Sequence, residues 1–311
     1  MPSRYMNETF PLSSRYENLL GMATDVAVRE AEGGGHANVV IRPAVTSTPR
    51  WLVAVGRSLP PLALVALISL AALVGRDVSG WPGRSVLAGL VVVTLACAVT
   101  GRTGSAQLGL GLTATVAASA LLPWQVGWWP LPGVVGVAVY LVSHLAMRGR
   151  AAGHRTILRF GRRLTAAEVW VVVGLVVSSA SVLLVFSRLA PPHLGTGARF
   201  LVALSPWSLV AVGVAFAVVN AFVEEVLFRG AVLHHLAHVL GSWPAVLVQA
   251  LAFGTLHLNG YPYGLAGMVL AAVYGLLLGA LRLRSGGLLA PWIAHVCADA
   301  VIFVLIVHTA T

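Results

Sequence analysis

Long uncharged stretches dominate this sequence, and they limit the folds that it can adopt. Of its 311 residues, 58% are hydrophobic and only 10% are charged. Several apolar runs are long enough to cross about 30 Å of hydrocarbon, for which a helix needs roughly 20 residues. A soluble domain carries a much larger charged fraction. The composition therefore predicts an all-α fold, a polytopic bundle of transmembrane helices.

Polar and turn-forming residues divide the apolar runs into eight or nine predicted spans. We place these spans at 59–75, 85–100, 106–124, 128–147, 166–186, 205–240, 244–257, 265–281 and 288–307. Residues 1–50 are largely polar and lack a sustained period, so we expect a disordered cytoplasmic tail. Residues 51–200 are predicted to form an N-terminal group of transmembrane helices, and residues 201–311 a C-terminal group.

The charge of the chain is strongly positive and is carried by arginine alone. The net charge is +10, and the sequence contains no lysine, which is typical of a GC-rich bacterial genome. Six arginines and no acid fall within 148–163, and the positive-inside bias makes residues 148–164 a cytoplasmic loop. We expect the arginines to bind anionic membrane lipid rather than nucleic acid, because they lie between apolar spans. The sequence therefore predicts an integral protein of a bacterial cell membrane.

All the acidic residues in the C-terminal third lie inside apolar runs. Residues 222–229 contain Glu224, Glu225 and Arg229, and the preceding stretch 209–223 carries no charge. A charge at the bilayer centre costs about 3 kcal/mol on insertion scales, so three together need a reason. The further polar residues of this kind are His257, His295 and Asp299.

Helical spacing allows these side chains to meet at one site. Glu225 and Arg229 are four residues apart, and so are His295 and Asp299, which places each pair on one helical face. Glu224 points about 100° away from Glu225 and is available for a different partner. We predict one shared polar site. The structural alternative is an intrahelical ion pair together with separate histidine hydrogen bonds between helices.

Depth within the bilayer also permits a shared site. At about 1.5 Å per residue, Glu224 and His257 reach similar depth on adjacent antiparallel spans.

His234 and His238 have the i, i+4 spacing of metal ligands, with His235 between them. We interpret these three as interfacial histidines at a helix end, with a second metal site as the alternative.

Three short motifs in this region resemble those of a known family. They are Glu224-Glu225-x-x-x-Arg229, Phe253-x-x-x-His257 and His295-x-x-x-Asp299. Together they resemble the motifs of the CAAX-protease and bacteriocin-processing (CPBP) family, intramembrane proteases related to the Ras-converting prenyl endopeptidase. The resemblance covers roughly residues 205–307. The third motif of the family usually ends in Asn, so the role of Asp299 is left open.

The resemblance implies that residues 201–311 form a catalytic core around an intramembrane polar cavity. The catalytic set would be Glu224, Glu225, Arg229, His257, His295 and Asp299. Glu224 would be the general base that activates water, and His257 would hold water or metal. His295 would stabilise the oxyanion, and Asp299 would complete the cavity. Glu225 would orient the site through its arginine partner.

The implied activity is that of an intramembrane endopeptidase of the CAAX-protease type, acting on a membrane-associated peptide or protein. The family is commonly classed as metal-dependent, and imidazoles and carboxylates are natural ligands of a hydrolytic zinc ion. The metal ligands would be Glu224, His257, His295 and Asp299. Spacing alone leaves zinc catalysis and direct glutamate catalysis both open.

Two other classes of function fit buried acids and histidines. A proton- or ion-coupled transporter uses such groups as a relay. Transporters usually show internal repeats with paired broken helices, and this sequence shows no such repeat. A non-catalytic scaffold or immunity protein on the same fold is the third hypothesis. The sequence does not indicate an oligomeric state.

Overall fold

All regular secondary structure in the described residues is helical. The structure, a computed structural model, describes residues 50–74, 80–122, 130–146, 157–192, 201 and 203–310. The predicted all-α class is confirmed for these residues. The predicted tail, apart from its last residue, lies outside them, and so do residues 148–156 of the predicted basic loop.

Ten α-helices and one π-helical segment follow one another along the described chain. They are α1 (Arg50–Val74), α2 (Trp81–Val99), α3 (Thr103–Leu121), α4 (Leu131–Ala146), α5 (Ala166–Leu189), α6 (Pro206–Glu224), the π-helical segment (Glu225–Val232), α7 (Leu233–Leu240), α8 (Ser242–Leu256), α9 (Gly264–Ser285) and α10 (Leu289–Ala310).

Many of these helices are apolar enough to lie in a membrane. Five are long and apolar enough to cross it: Trp81–Val99, Ala166–Leu189, Pro206–Leu240, Gly264–Ser285 and Leu289–Thr309. Three shorter apolar helices are Leu59–Leu73, Leu131–Ala146 and Ser242–Leu256. The outer faces are also apolar, with Val92, Trp170 and Val185 each more than 60% exposed. An exterior of this kind is favourable against lipid rather than water, and the chain is an integral membrane protein.

Helix α5 begins with reciprocal hydrogen bonds between Thr165 and Glu168. Thr165 caps the helix by accepting a hydrogen bond from the Glu168 backbone, and the Glu168 carboxylate accepts one from the Thr165 backbone at 2.8 Å. This reciprocal pair is a capping box. Arg162 donates to both oxygens of the same buried carboxylate, at 2.7 and 3.0 Å. Arg162, near the end of the basic stretch, is therefore anchored to α5.

The loop segment 157–164 packs against the start of α10. The carbonyls of Arg159 and Phe160 accept hydrogen bonds from Leu288 and Leu289, at 2.9 and 3.1 Å. These bonds satisfy backbone amides that a helix N-terminus leaves without intrahelical partners. Because α10 carries His295 and Asp299, the loop segment helps to set the position of both residues.

Helices α8 and α9 pack closely because small residues line their contact. A Cβ atom added at Gly254 would lie 2.6 Å from the Met268 carbonyl oxygen, and one at Gly275 would lie 3.3 Å from Ala250 Cα. Absent side chains let two helix backbones approach each other. This close contact brings Phe253 of α8 beside the middle of α9.

Candidate active site

The backbone changes from α-helical to π-helical between the two adjacent glutamates. Helix α6 ends at Glu224, and the π-helical segment begins at Glu225. All residues from 223 to 233 are buried. The sequence predicts one helical region over 205–240, and the π-helical geometry within it is a difference that hydrophobic periodicity could not reveal. Short π-helical stretches frequently occur at functional sites.

Glu225 and Arg229 form the predicted pair. Glu225 Oε1 lies 2.9 Å from Arg229 Nη1, and both side chains are buried. The guanidinium carbon lies 4.4 Å from the centre of the Phe253 ring, which is cation–π geometry. Arg229 Nη2 also donates to the carbonyl of Gly275. The cation is therefore held by a carboxylate, an aromatic face and a backbone oxygen.

His295 lies between the two glutamates. Its Nδ1 is 2.8 Å from Glu225 Oε1, and its Nε2 is 3.4 Å from Glu224 Oε2. Asp299 Oδ1 is 3.7 Å from the same Nε2. Glu224 and Glu225 thus contact opposite nitrogens of one imidazole, whereas the helical angle between them suggested different partners. Tertiary packing of α10 against α6 decides this arrangement.

The contacts of His295 determine where protons can lie. Ionised carboxylates only accept hydrogen bonds, so Nδ1 donates to Glu225. For Nε2 and Glu224 Oε2 to bond directly, one proton must lie on the nitrogen or on the oxygen. Glu224 and His295 can therefore exchange a proton over a short path, which is a property of acid–base catalytic pairs.

Asn220 is a member of the cluster that sequence reasoning missed. Its Nδ2 donates to Asp299 Oδ2 at 3.0 Å and to Glu224 Oε1 at 3.4 Å. The signal was available, because Asn220 is an amide within an apolar run and lies one helical turn before Glu224. Because Asn220 carries no charge, it was not among the predicted site residues.

Phe253 connects His257 to the other residues. His257 follows the end of α8, and its Nδ1 bonds to the carbonyl of Phe253 at 3.1 Å. The Phe253 ring centroid lies 4.8 Å from that of His257 and 5.8 Å from that of His295. The structure brings Glu224, Glu225, Arg229, His295 and Asp299 into one cluster, and His257 contacts the Phe253 ring that borders it.

Three carboxyl groups are concentrated in the cluster. They belong to Glu224, Glu225 and Asp299, and the basic groups in direct contact with them are Arg229 and His295. Arg282 of α9 is a further cation that interacts electrostatically with Glu225. Burial of a charged group is costly unless it is paired, so the carboxylates depend on these basic partners. A carboxylate beside an imidazole can also remove a proton from a bound water, which is the task of a general base.

The carboxylates and imidazoles of the cluster are the donor set that the implied metal would require. Among the described residues, no group of three or more His, Cys, Asp or Glu side chains is arranged to hold a metal ion. The site as placed therefore does not fit a resident zinc ion. The metal remains a prediction from the sequence, and the chemistry below involves no step through it.

The three histidines of α7 contact one another and, through His235, Tyr140 of α4. The rings of His234 and His238 lie 4.3 Å apart. His238 Nδ1 bonds to the His234 carbonyl at 2.7 Å, and His235 Nε2 lies 3.4 Å from the hydroxyl of Tyr140. No metal-binding group was found here within the described part of the chain. The second metal site gains no support from this geometry.

Comparison with known proteins gives one match, to the region that carries the cluster. Residues 206–301 match the family model Rce1-like, whose description is type II CAAX prenyl endopeptidase. No curated protein and no solved structure matches the chain. The matched range includes all six residues predicted for the site, from Glu224 to Asp299. The resemblance to the CPBP family of CAAX-type proteases is therefore confirmed over residues 206–301.

Proposed function

We propose that this protein is an intramembrane endopeptidase that hydrolyses a peptide bond of a membrane-associated peptide or protein. The observation that carries the proposal is the buried contact of two carboxyl groups, those of Glu224 and Asp299, with one imidazole, that of His295. A carboxylate and an imidazole in direct contact can take up and release a proton, as hydrolysis of a peptide bond requires. The family match over residues 206–301 supports the same class of activity.

In the proposed reaction, Glu224 accepts a proton from a water molecule as the water oxygen bonds to the carbonyl carbon of the substrate. The tetrahedral intermediate then collapses, and the bond from carbon to nitrogen breaks. The proton held by Glu224 and His295 passes to the leaving amine. Glu225 and Arg229 hold the imidazole in place, and His295 stabilises the oxyanion. His257 lines the approach beside Phe253.

The burial of the cluster supports a substrate that reaches it from the membrane. The nine helical crossings that we propose are α1, α2, α3, α4, α5, α6 continuing through α7, α8, α9 and α10. They would enclose a polar cavity at the depth of Glu224. The substrate would then carry a lipid-embedded segment next to its scissile bond, and it need not be prenylated.

The test uses purified protein in lipid vesicles with a library of peptides, each anchored by a single transmembrane segment or by a prenyl group. We expect cleavage by the wild type and a loss of about 10²-fold or more in kcat for Glu224→Gln, since general bases contribute factors of this size. Glu168→Gln is the matched control, because it removes a buried carboxylate that caps α5 outside the cluster. Cleavage by Glu224→Gln at the wild-type rate would overturn the proposal.

The same assay tests the predicted metal. Activity that is lost on dialysis against a chelator and restored by Zn²⁺ would assign a metal-dependent reaction. Activity that persists after metal removal, confirmed by elemental measurement of the protein, would assign catalysis to the glutamate alone. Uptake of ions or peptides by the vesicles without cleavage would instead favour the transporter hypothesis.

A further inference from the structure

The amide of Asn220 occupies a central position between two carboxylates of the cluster. It is 5% exposed, and its Nδ2 contacts Asp299 at 3.0 Å and Glu224 at 3.4 Å. Ionised carboxylates have no proton to donate, so the end of the amide that faces both of them is the NH₂ group. The chemistry of the partners thus assigns the orientation of the side chain.

The other end of this amide has no hydrogen-bond partner within the described part of the chain. Asn220 Oδ1 is buried and accepts no hydrogen bond there. A buried acceptor without a partner costs about 1–3 kcal/mol. The NH₂ group accounts for one end of the amide, and the buried oxygen at the other end indicates a partner that enters the site.

The geometry permits a partner shared with the catalytic base. Covalent geometry places Oδ1 roughly 2.3 Å from Nδ2. Because Nδ2 lies 3.4 Å from Glu224 Oε1, the two oxygens are at most about 6 Å apart. One water that donates two hydrogen bonds of about 2.8 Å joins acceptors about 4.5 Å apart, which lies within this limit.

We infer that Asn220 is a catalytic residue that binds the attacking water together with Glu224. The inference depends on the proposed hydrolysis. One hydrogen of the water points at Glu224 and is removed as the proton. The second hydrogen points at Asn220 Oδ1 and stays on the oxygen, which becomes the hydroxyl of the tetrahedral intermediate. With both hydrogens held, a lone pair of the water points at the substrate carbonyl.

A second task of Asn220 follows from the same geometry. Its Nδ2 reduces the repulsion between the Glu224 and Asp299 carboxylates by donating to both. If positions 220 and 299 exchange their side chains, one amide and one carboxylate should still face each other at this contact. The chain offers this exchange as a double variant, Asn220→Asp with Asp299→Asn.

The experiment measures kcat and KM with the anchored peptide that the wild type cleaves fastest. Asn220→Leu should lower kcat about 10²-fold and change KM less than about threefold, because the water and not the substrate loses its contact. Asn220→Asp should lower kcat at least as much. The double variant should recover at least tenfold relative to Asn220→Asp. Gln107→Leu is the control, since it removes another fully buried amide, on α3 and outside the cluster, and its kcat should stay within twofold.

Thermal unfolding in detergent is measured for each variant, so that a loss of folding is not taken for a loss of catalysis. A kcat for Asn220→Leu within twofold of the wild type, with Glu224→Gln inactive, would overturn the role of Asn220 and leave the proposed function intact. An equal loss of kcat in Asn220→Leu and Gln107→Leu would also overturn it. Unchanged cleavage in Glu224→Gln would overturn both proposals together.

Discussion

Single residues in this site are held by partners from several directions. Arg229 is 1% exposed and contacts Glu225, the face of Phe253 and the Gly275 carbonyl. In a low-dielectric interior such a cation is stable only with its partners, and removal of one partner leaves a buried charge. The planar guanidinium also stacks on the ring, which a lysine ammonium cannot do.

The pair can be tested by a double-mutant cycle. Arg229→Met should lower the free energy of unfolding by about 3–5 kcal/mol, because the buried Glu225 carboxylate loses its guanidinium partner. Combining it with Glu225→Gln removes that charge, so the double variant should be more stable than Arg229→Met. Denaturation in mixed micelles provides the free energies. Additive effects, with a coupling below about 0.5 kcal/mol, would show that the two side chains do not depend on each other.

At the scale of helices, two features position the site. The π-helical segment directs Glu225 and Arg229 towards α9 and α10, and the close contact of α8 with α9 brings Phe253 against Arg229. Helix α8 approaches α9 closely at Gly254, where a side chain would meet a backbone oxygen that cannot rotate away. The distance between the two helices therefore determines the distance between Phe253 and its partners.

Gly254→Ala should separate α8 from α9. Overpacking of this kind costs about 1–3 kcal/mol, and the displacement of Phe253 should lower the cleavage rate as well. Gly174→Ala is the matched control, because a Cβ there meets no atom within 4 Å and alanine is favoured over glycine inside a helix. We expect the control to be as stable as the wild type or more so. A melting temperature for Gly254→Ala equal to that of Gly174→Ala would contradict the packing argument.

For the whole molecule, the crossing of α10 sets the orientation of the site. Arg284 lies at the end of α9 next to the start of α10, and Thr309 lies near the other end of α10. The intervening helix is about 30 Å long at 1.5 Å per residue, which matches a bilayer core. The arginines at 159, 162, 163, 282 and 284 all belong to the loop segment and the end of α9, so the positive-inside bias predicts this end to be cytoplasmic.

Labelling of introduced cysteines tests this topology. A membrane-impermeant thiol reagent should label Arg284→Cys only in inside-out vesicles and Thr309→Cys only in intact cells. The wild type is the control, because Cys97 is buried and Cys297 is half-buried within apolar helices. Labelling of both variants from the same side would exclude a crossing by α10 and would place the cluster outside the bilayer core.

Local patterns in the sequence were sufficient for several features of the structure. The all-helical class and the four-residue pair of Glu225 and Arg229 were predicted and are confirmed. Each depends on the period of one helix or on contacts within one turn. The count of eight or nine spans and the role of each site residue remain predictions.

Other features of the site could not be derived in this way. Three contacts join different helices: His295 with Glu224 and Glu225, the amide of Asn220 with Asp299, and the ring of Phe253 with His295. The sequence by itself determined which side chains are too polar for lipid, because transfer into hydrocarbon depends on the residue alone. Only the tertiary structure decided which of them meet, because those contacts depend on how whole helices rotate and pack against one another.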